Sequence, residues 1–154
     1  MRKLNFGAGL KRLPGFINVD KEDFDFNIFP YPYKDDTFDY IYSHHVLEHL
    51  IDPQKVIDEL HRISVPNGLI RITVPYWNSK LSANDITHLH RFNDRTFELL
   101  CGIGHSYKDV KPKFRLTIEY IPGQQWKYLP FKNKIKDYIP NIIPEITAIL
   151  RVLK

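Results

Sequence analysis

The chain has 154 residues, 43% of them hydrophobic and 26% charged, with a formal net charge of +4. That length and balance fit one globular domain with a real core and exclude a disordered chain. No apolar run approaches the ~18 residues of a membrane span and no signal-peptide pattern opens the chain, while the single Cys101 excludes an internal disulfide, so a cytoplasmic location is expected.

The charge is unevenly placed. Residues 1–106 hold 12 Lys and Arg against 14 Asp and Glu, whereas residues 107–154 hold 10 against 4. A basic C-terminal region suits a solvated face or an acidic partner such as nucleic acid, a phosphorylated sugar or a membrane surface.

In chain order, residues 2–6 predict a first strand that runs into the turn "LNFGAG", where Gly7 and Gly9 bracket one alanine. "FINVD" (16–20) predicts a second strand ending in Asp20, and "FDFNI" (24–28) a short third. The connector "PYPYKDD" is rich in breakers, and "FDYIYS" (38–43) is the fourth strand. "DPQKVIDELHRIS" predicts a helix with Asp52 as N-cap and Pro53 at its first position, because Val56, Ile57, Leu60, Ile63 and Ser64 fall on one face. "PNG" is expected to close that helix, and "LIRITVP" (69–75) to form a fifth strand. "DRTFELLCGIG" predicts a helix from Asp94 to a glycine stop, followed by a hairpin of strands near 106–111 and 114–121.

Strands alternating with helices predict a parallel α/β sheet wound by right-handed crossovers. Ligands in such sheets sit beyond the carboxyl ends of the strands. That directs attention to Gly7–Gly9, Asp20, Asn27, Ser43–His44 and the stretch after Pro75. The dinucleotide fingerprint G-x-G-x-x-G fails here, since Arg12 stands at its third glycine and Asp20 follows Gly9 by only 11 residues. A nicotinamide-dependent oxidoreductase is therefore disfavoured. An acid ending the second strand can still accept hydrogen bonds from both hydroxyls of a ribose. A glycine turn with a ribose acid but no phosphate grip points to an adenosine compound lacking pyrophosphate.

The stretches "LNFGAG", "LPGFINVD", "PYPYKDDTFDYIYSHHVLEHLIDP", "VIDELHRISVPNGLIRITVP" and "THLHRFNDRTFELL" together resemble the class I S-adenosylmethionine-dependent methyltransferases, especially the small type 11 group. The resemblance covers roughly residues 3–104 in the family's order. It implies a Rossmann-like, mostly parallel sheet with a C-terminal antiparallel hairpin, and S-adenosylmethionine as cofactor. Gly7 and Gly9 would let the methionine part lie against backbone, and Asp20 would hold the ribose. Asn27 would contact the adenine amino group with Ile28 stacking on the ring, and Ser43 and His44 would lie beside the sulfonium. Asn5 and Asn27 stand where the family usually has acids, so cofactor affinity is expected to be lowered. The fold is also expected to be truncated at its N-terminus, lacking the family's leading helices. The resulting division is a domain over 1–121 and a basic, apolar extension over 122–154, whose Ile142, Ile143, Ile146, Ile149, Leu150 and Leu153 would cover the sheet or a second subunit in a homodimer.

Methyl transfer needs a general base only when the acceptor keeps a proton of high pKa, and histidine suits that task. His44, His45, His88 and His90 lie where they could converge, with His88 and His44 the expected catalytic pair; Glu48 and His49 are expected to brace the following loop. A metal on His88, His90 and Asp85 matches no strong zinc spacing, and none is expected. Tyr76 and Trp77 could flank an acceptor. Trp126, Tyr128 and Phe131 alternate with lysines in a way that suits stacking on bases, although aromatic residues of this kind are more often core. The function expected is methylation of an unidentified small-molecule or glycan-linked acceptor. The alternatives are a non-catalytic module assisting a partner protein and, further off, an RNA methyltransferase.

Overall fold

The computed structural model describes residues 1–103, 113–123, 128 and 132–154. Its elements run β1 (Lys3–Phe6), β2 (Ile17–Val19), β3 (Phe38–His44), a 3₁₀ turn (Leu47–His49), α1 (Pro53–Ile63), β4 (Ser64–Pro75), α2 (Lys80–Asn84), α3 (Asp94–Leu100), β5 (Phe114–Ile121), α4 (Lys132–Ile135) and β6 (Glu145–Val152). Six strands form one sheet in the order β2-β1-β3-β4-β6-β5. β2, β1, β3 and β4 are mutually parallel, and β6 runs antiparallel to both β4 and β5. This is the α/β architecture expected, with the antiparallel pair at its C-terminal end.

Register explains the two faces. Leu4, Ile41, Ile70, Leu150 and Leu116 share one row across five strands, and the first four are fully buried. Helix α1 lies on this face, with the His61 ring edge-on to Phe114 at 5.1 Å. Asp52 caps α1 by accepting the Lys55 N–H at 3.1 Å. Val56, Ile57, Leu60 and Ile63 are its buried stripe, the 3.6-residue period expected of an amphipathic helix.

Several expectations need correction. "PNG" does not close α1. The helix ends at Ile63, β4 starts at Ser64, and pairing with β3 jumps from Phe38↔Ser64 to Tyr40↔Leu69 around a bulge in which Asn67 has φ 62°. "FDFNI" is not a strand. Asp25 accepts the Asn27 N–H at 2.8 Å and makes a turn, while Phe26 stacks on Phe6 at 4.0 Å and Phe24 meets Tyr31 at 5.3 Å. The rings are anchored as a cluster and not as alternating faces of a ladder.

The division after residue 121 crosses a continuous sheet. β6 lies between β4 and β5, and the Gly123 N–H donates to Ile142 O at 3.0 Å across the hairpin. Ile142, Ile143, Ile146 and Leu150 are therefore buried inside the domain, while Leu153 is exposed. The expected strand at 106–111 and the aromatics Trp126 and Phe131 lie outside the described residues; Tyr128 is exposed. Among the described residues no helix is long and apolar enough to cross a membrane.

Candidate active site

The site begins where β1 stops. Gly7 and Gly9 have φ +74° and +49°, the left-handed region that an L side chain enters at a cost. The Gly7 and Ala8 N–H groups donate to Val19 O at 3.0 and 2.8 Å, tying the turn to the end of β2. A Cβ on Gly7 would overlap the Val46 side chain, whereas one on Gly9 would meet only Asp20 Oδ2 at 3.8 Å. The first glycine thus admits the chain's own loop, and the second keeps the surface of a cleft open. Asp20 accepts the Gly9 N–H on one oxygen and the Lys21 N–H, at 2.8 Å, on the other. Each oxygen keeps a lone pair for a further donor.

That cleft has a volume of about 680 Å³, with Gly7, Gly9, Lys11, Asp20, Lys21 and His44 in its wall. A cavity of about 530 Å³ adjoins it, sharing Lys21, Phe26 and Leu50 and adding Asn27. Another, of about 560 Å³, shares His45 and His49 and adds Asp85 and His88. The cleft is central, and the two expected histidines sit apart: His44 faces the middle space and His88 the next one.

Other expected residues are placed differently. Asn5 is buried, its amide donating to Lys11 O at 2.9 Å and Asn18 Oδ1 at 2.8 Å; it stitches the loop after β1 to β2. Ser43 falls on the helix-covered face, in register with Phe6 and Ile72, and is buried. Asn27 accepts the Ile51 N–H at 2.8 Å, and Ile28 is 66% exposed. Ser43 and Ile28 line none of the three cavities. Tyr76 is fully buried, its hydroxyl accepting from Lys136 Nζ at 3.1 Å. His90 turns to Ile51 O at 3.3 Å, away from His88 and Asp85.

Sequence reasoning missed His45 as an organiser. Its φ is +55°, and its ring bridges Glu48 Oε1 at 3.0 Å and Glu145 Oε1 at 2.8 Å. The Glu48 bond, joined by that of Glu145, raises its pKa against the effect of burial. Beside it, burial and then His45 itself lower the pKa of His44. The "HH" pair was visible, but Glu145 lies 100 residues on, and no local signal links them.

Residues 12–72 match the family model of a methyltransferase domain. Similar solved folds include phosphoethanolamine N-methyltransferase 2 of Haemonchus contortus, determined with S-adenosyl-L-methionine, at 14% identity and TM-score 0.66; this chain is covered over 99% of its length and spans 49% of that one. A S-adenosylmethionine-dependent methyltransferase from Archaeoglobus fulgidus matches at 16% identity and TM-score 0.62, over 97% of this chain and 85% of that one. The YcgJ protein of Bacillus subtilis matches at 14% and 0.62, over 99% and 92%. With its strand order, its glycine turn and the matched segment 12–72, the chain carries the class I S-adenosylmethionine-dependent methyltransferase fold.

Proposed function

We propose that the chain binds S-adenosylmethionine across the glycine-turn cleft and methylates a small-molecule or glycan-linked acceptor held in the adjoining cavity that His49 and His88 line. The observation that carries this reading is the cleft itself. Its volume of about 680 Å³ suits a cofactor of that size, one wall is backbone at Gly9, and Asp20 lies beside it, hydrogen-bonded to the Gly9 N–H.

When bound, the cofactor supplies an electrophilic methyl group whose departure leaves a neutral thioether. The chain's own contribution is mainly positioning, since holding two reactants in line removes much of the barrier. Asp20 accepts ribose hydroxyls, and the Lys11 and Lys21 ammoniums suit the carboxylate of the methionine part. Phe26 offers an apolar ring toward the Asn27 end. His44, its pKa lowered first by burial, lines the cleft as a candidate base. His88 donates Nδ1–H to Ser82 O at 3.2 Å, which leaves its Nε2 as an acceptor. Were a bound cofactor to pass its methyl group to the acceptor's heteroatom, His44 or His88 would be placed to take the acceptor's proton.

Calorimetric titration with S-adenosylmethionine and its demethylated product tests the reading. Binding is expected, weakened by Gly9→Ala through the methyl it adds to the cleft wall. Asp20→Ala should cost about 1.5–3 kcal/mol, the range for hydrogen bonds to a charged group. No binding at millimolar cofactor overturns the proposal. Binding with no methyl transfer to any acceptor in cell extract supports instead a module that assists a partner protein.

A further inference from the structure

We infer that Glu48, His49 and His88 form a divalent-metal site in the wall of the acceptor cavity. One carboxylate oxygen and one imidazole nitrogen from each histidine lie within 4.8 Å of one another, with His88 Nε2 3.9 Å from Glu48 Oε1. Two imidazoles and a carboxylate make a donor set that suits zinc and neighbouring first-row divalent ions.

Both histidines are held in the tautomer a metal requires. His49 donates Nδ1–H to Thr87 Oγ1 at 2.9 Å, and that hydroxyl donates onward to Asp85 Oδ1 at 2.7 Å. His88 donates Nδ1–H to Ser82 O at 3.2 Å. A carbonyl and a committed hydroxyl can only accept, so both Nε2 lone pairs are bare. Such outer partners are what orient metal-binding histidines in general. The Leu89 N–H donates to Glu48 O at 2.8 Å, which pins the loop carrying His88 against the turn carrying Glu48 and His49.

Glu48 supplies the independent observation. Its side chain is 1% exposed, Oε1 takes the His45 bond, and Oε2 has no hydrogen-bond partner among the described residues. A buried carboxylate with an unpartnered oxygen is rare, and a cation bound by this carboxylate compensates its charge. Bonds of about 2.0–2.1 Å place tetrahedral donors about 3.3 Å apart, so the donors must draw together by about 0.6–1.5 Å on loading. Asp85 Oδ2, 3.8 Å from His88 Nε2, can serve as a fourth ligand. Otherwise the fourth position opens to the cavity and can hold an acceptor oxygen. With a metal bound, His88 Nε2 is a ligand and the acceptor's proton falls to His44; that use rests on the proposed methyl transfer, and the site itself does not. The second histidine–carboxylate group, His44, His45 and Glu145, does not compete, because both His45 nitrogens already bond carboxylates.

The test uses the full chain, freed of metal by chelator, and Zn²⁺ or Co²⁺ with no cofactor present. Expected are one equivalent of Zn²⁺ captured in competition with a chromophoric chelator and visible Co²⁺ bands of a four- or five-coordinate site. His49→Ala and His88→Ala should each weaken binding by at least 100-fold, and Thr87→Ala by about 10–100-fold through the lost outer bond. His90→Ala should leave affinity unchanged, and circular dichroism confirms folding of each variant. No stoichiometric binding by the folded wild-type chain, or equal affinity in His49→Ala and His88→Ala, overturns the site. Metal binding without S-adenosylmethionine binding keeps this inference and overturns the methyltransferase reading; the converse does the opposite.

Discussion

Val46 decides what Gly7 can tolerate. Its methyl groups occupy the space of any Cβ there, and the φ of +74° adds the left-handed penalty of about 1–2 kcal/mol. Gly7→Ala is therefore expected to lose about 2–4 kcal/mol with overpacking included, read as a lower melting temperature without any cofactor. Gly9→Ala meets no such neighbour and should lose only the backbone penalty, so its effect on cofactor binding is interpretable where that of Gly7→Ala is not. An unchanged melting temperature for Gly7→Ala would show that Val46 moves aside freely. The histidines separate at the same scale. If His44 is the base, His44→Ala lowers turnover by about 100-fold or more with cofactor affinity kept. The sign of its pH dependence follows from the lowered pKa: activity is present above that pKa and falls only as pH drops through it, below the ordinary value of about 6.5. A fall in activity that begins well above pH 7 would exclude His44 from the role.

At the scale of elements, the connector before β3 is clamped to α1 by Arg62 and Glu59. Arg62 donates to Glu59 at 2.7 and 2.9 Å, to Tyr31 O at 3.1 Å, Tyr33 O at 2.8 Å and Asp35 at 2.8 Å, while Glu59 accepts the Tyr31 N–H at 2.8 Å. The Arg62 bonds hold Glu59 below the usual carboxylate pKa. Its stabilisation is thus fully present above the unfolded value of about 4.3 and is lost as pH falls through the folded one. Glu59→Gln should cost about 1.5–3 kcal/mol at pH 7, and denaturant titrations should show that gap closing below about pH 4. A constant gap across that range would remove the pair from acid sensitivity. This clamp also shows which parts of the fold were legible. Helix α1 could be read from Asp52, Pro53 and the Val56–Ile63 stripe because its cap and its apolar face are both local. The turn at "FDFNI" could not, because its aromatics are fixed by Phe6 and Tyr31. β6 was missed for the same reason: Ile146, Ala148 and Leu150 alternate as a buried strand should, but their partners in β4, Val74, Ile72 and Ile70, lie about 75 residues earlier. In the site, Gly9, Asp20 and His44 were legible as ends of strands, whereas Glu145 reaches His45 only through that distant pairing.

Across the whole molecule, β6 is the strand through which β4 and β5 belong to one sheet. It pairs with β4 from Leu69↔Arg151 to Pro75↔Glu145 and with β5 from Phe114↔Val152 to Ile121↔Glu145. Removing it leaves the facing edges of both neighbours unpaired, a template for aggregation. It also removes Ile146, Leu150 and Val152, all fully buried, at about 1.5–3 kcal/mol each. That sum alone rivals the whole stability of a typical domain, about 5–15 kcal/mol. The site shares this dependence, since Glu145 holds His45 at 2.8 Å and His45 in turn holds Glu48. Deleting residues 139–154 is therefore expected to yield an unfolded or aggregated chain by size-exclusion chromatography and circular dichroism. Leu150→Ala, which keeps the ladder, should remain folded but lose about 2–5 kcal/mol in denaturant titration. A soluble, monomeric deletion with an unchanged melting temperature would mean that the parallel half of the sheet stands alone, and that the C-terminal strand is free to serve a partner.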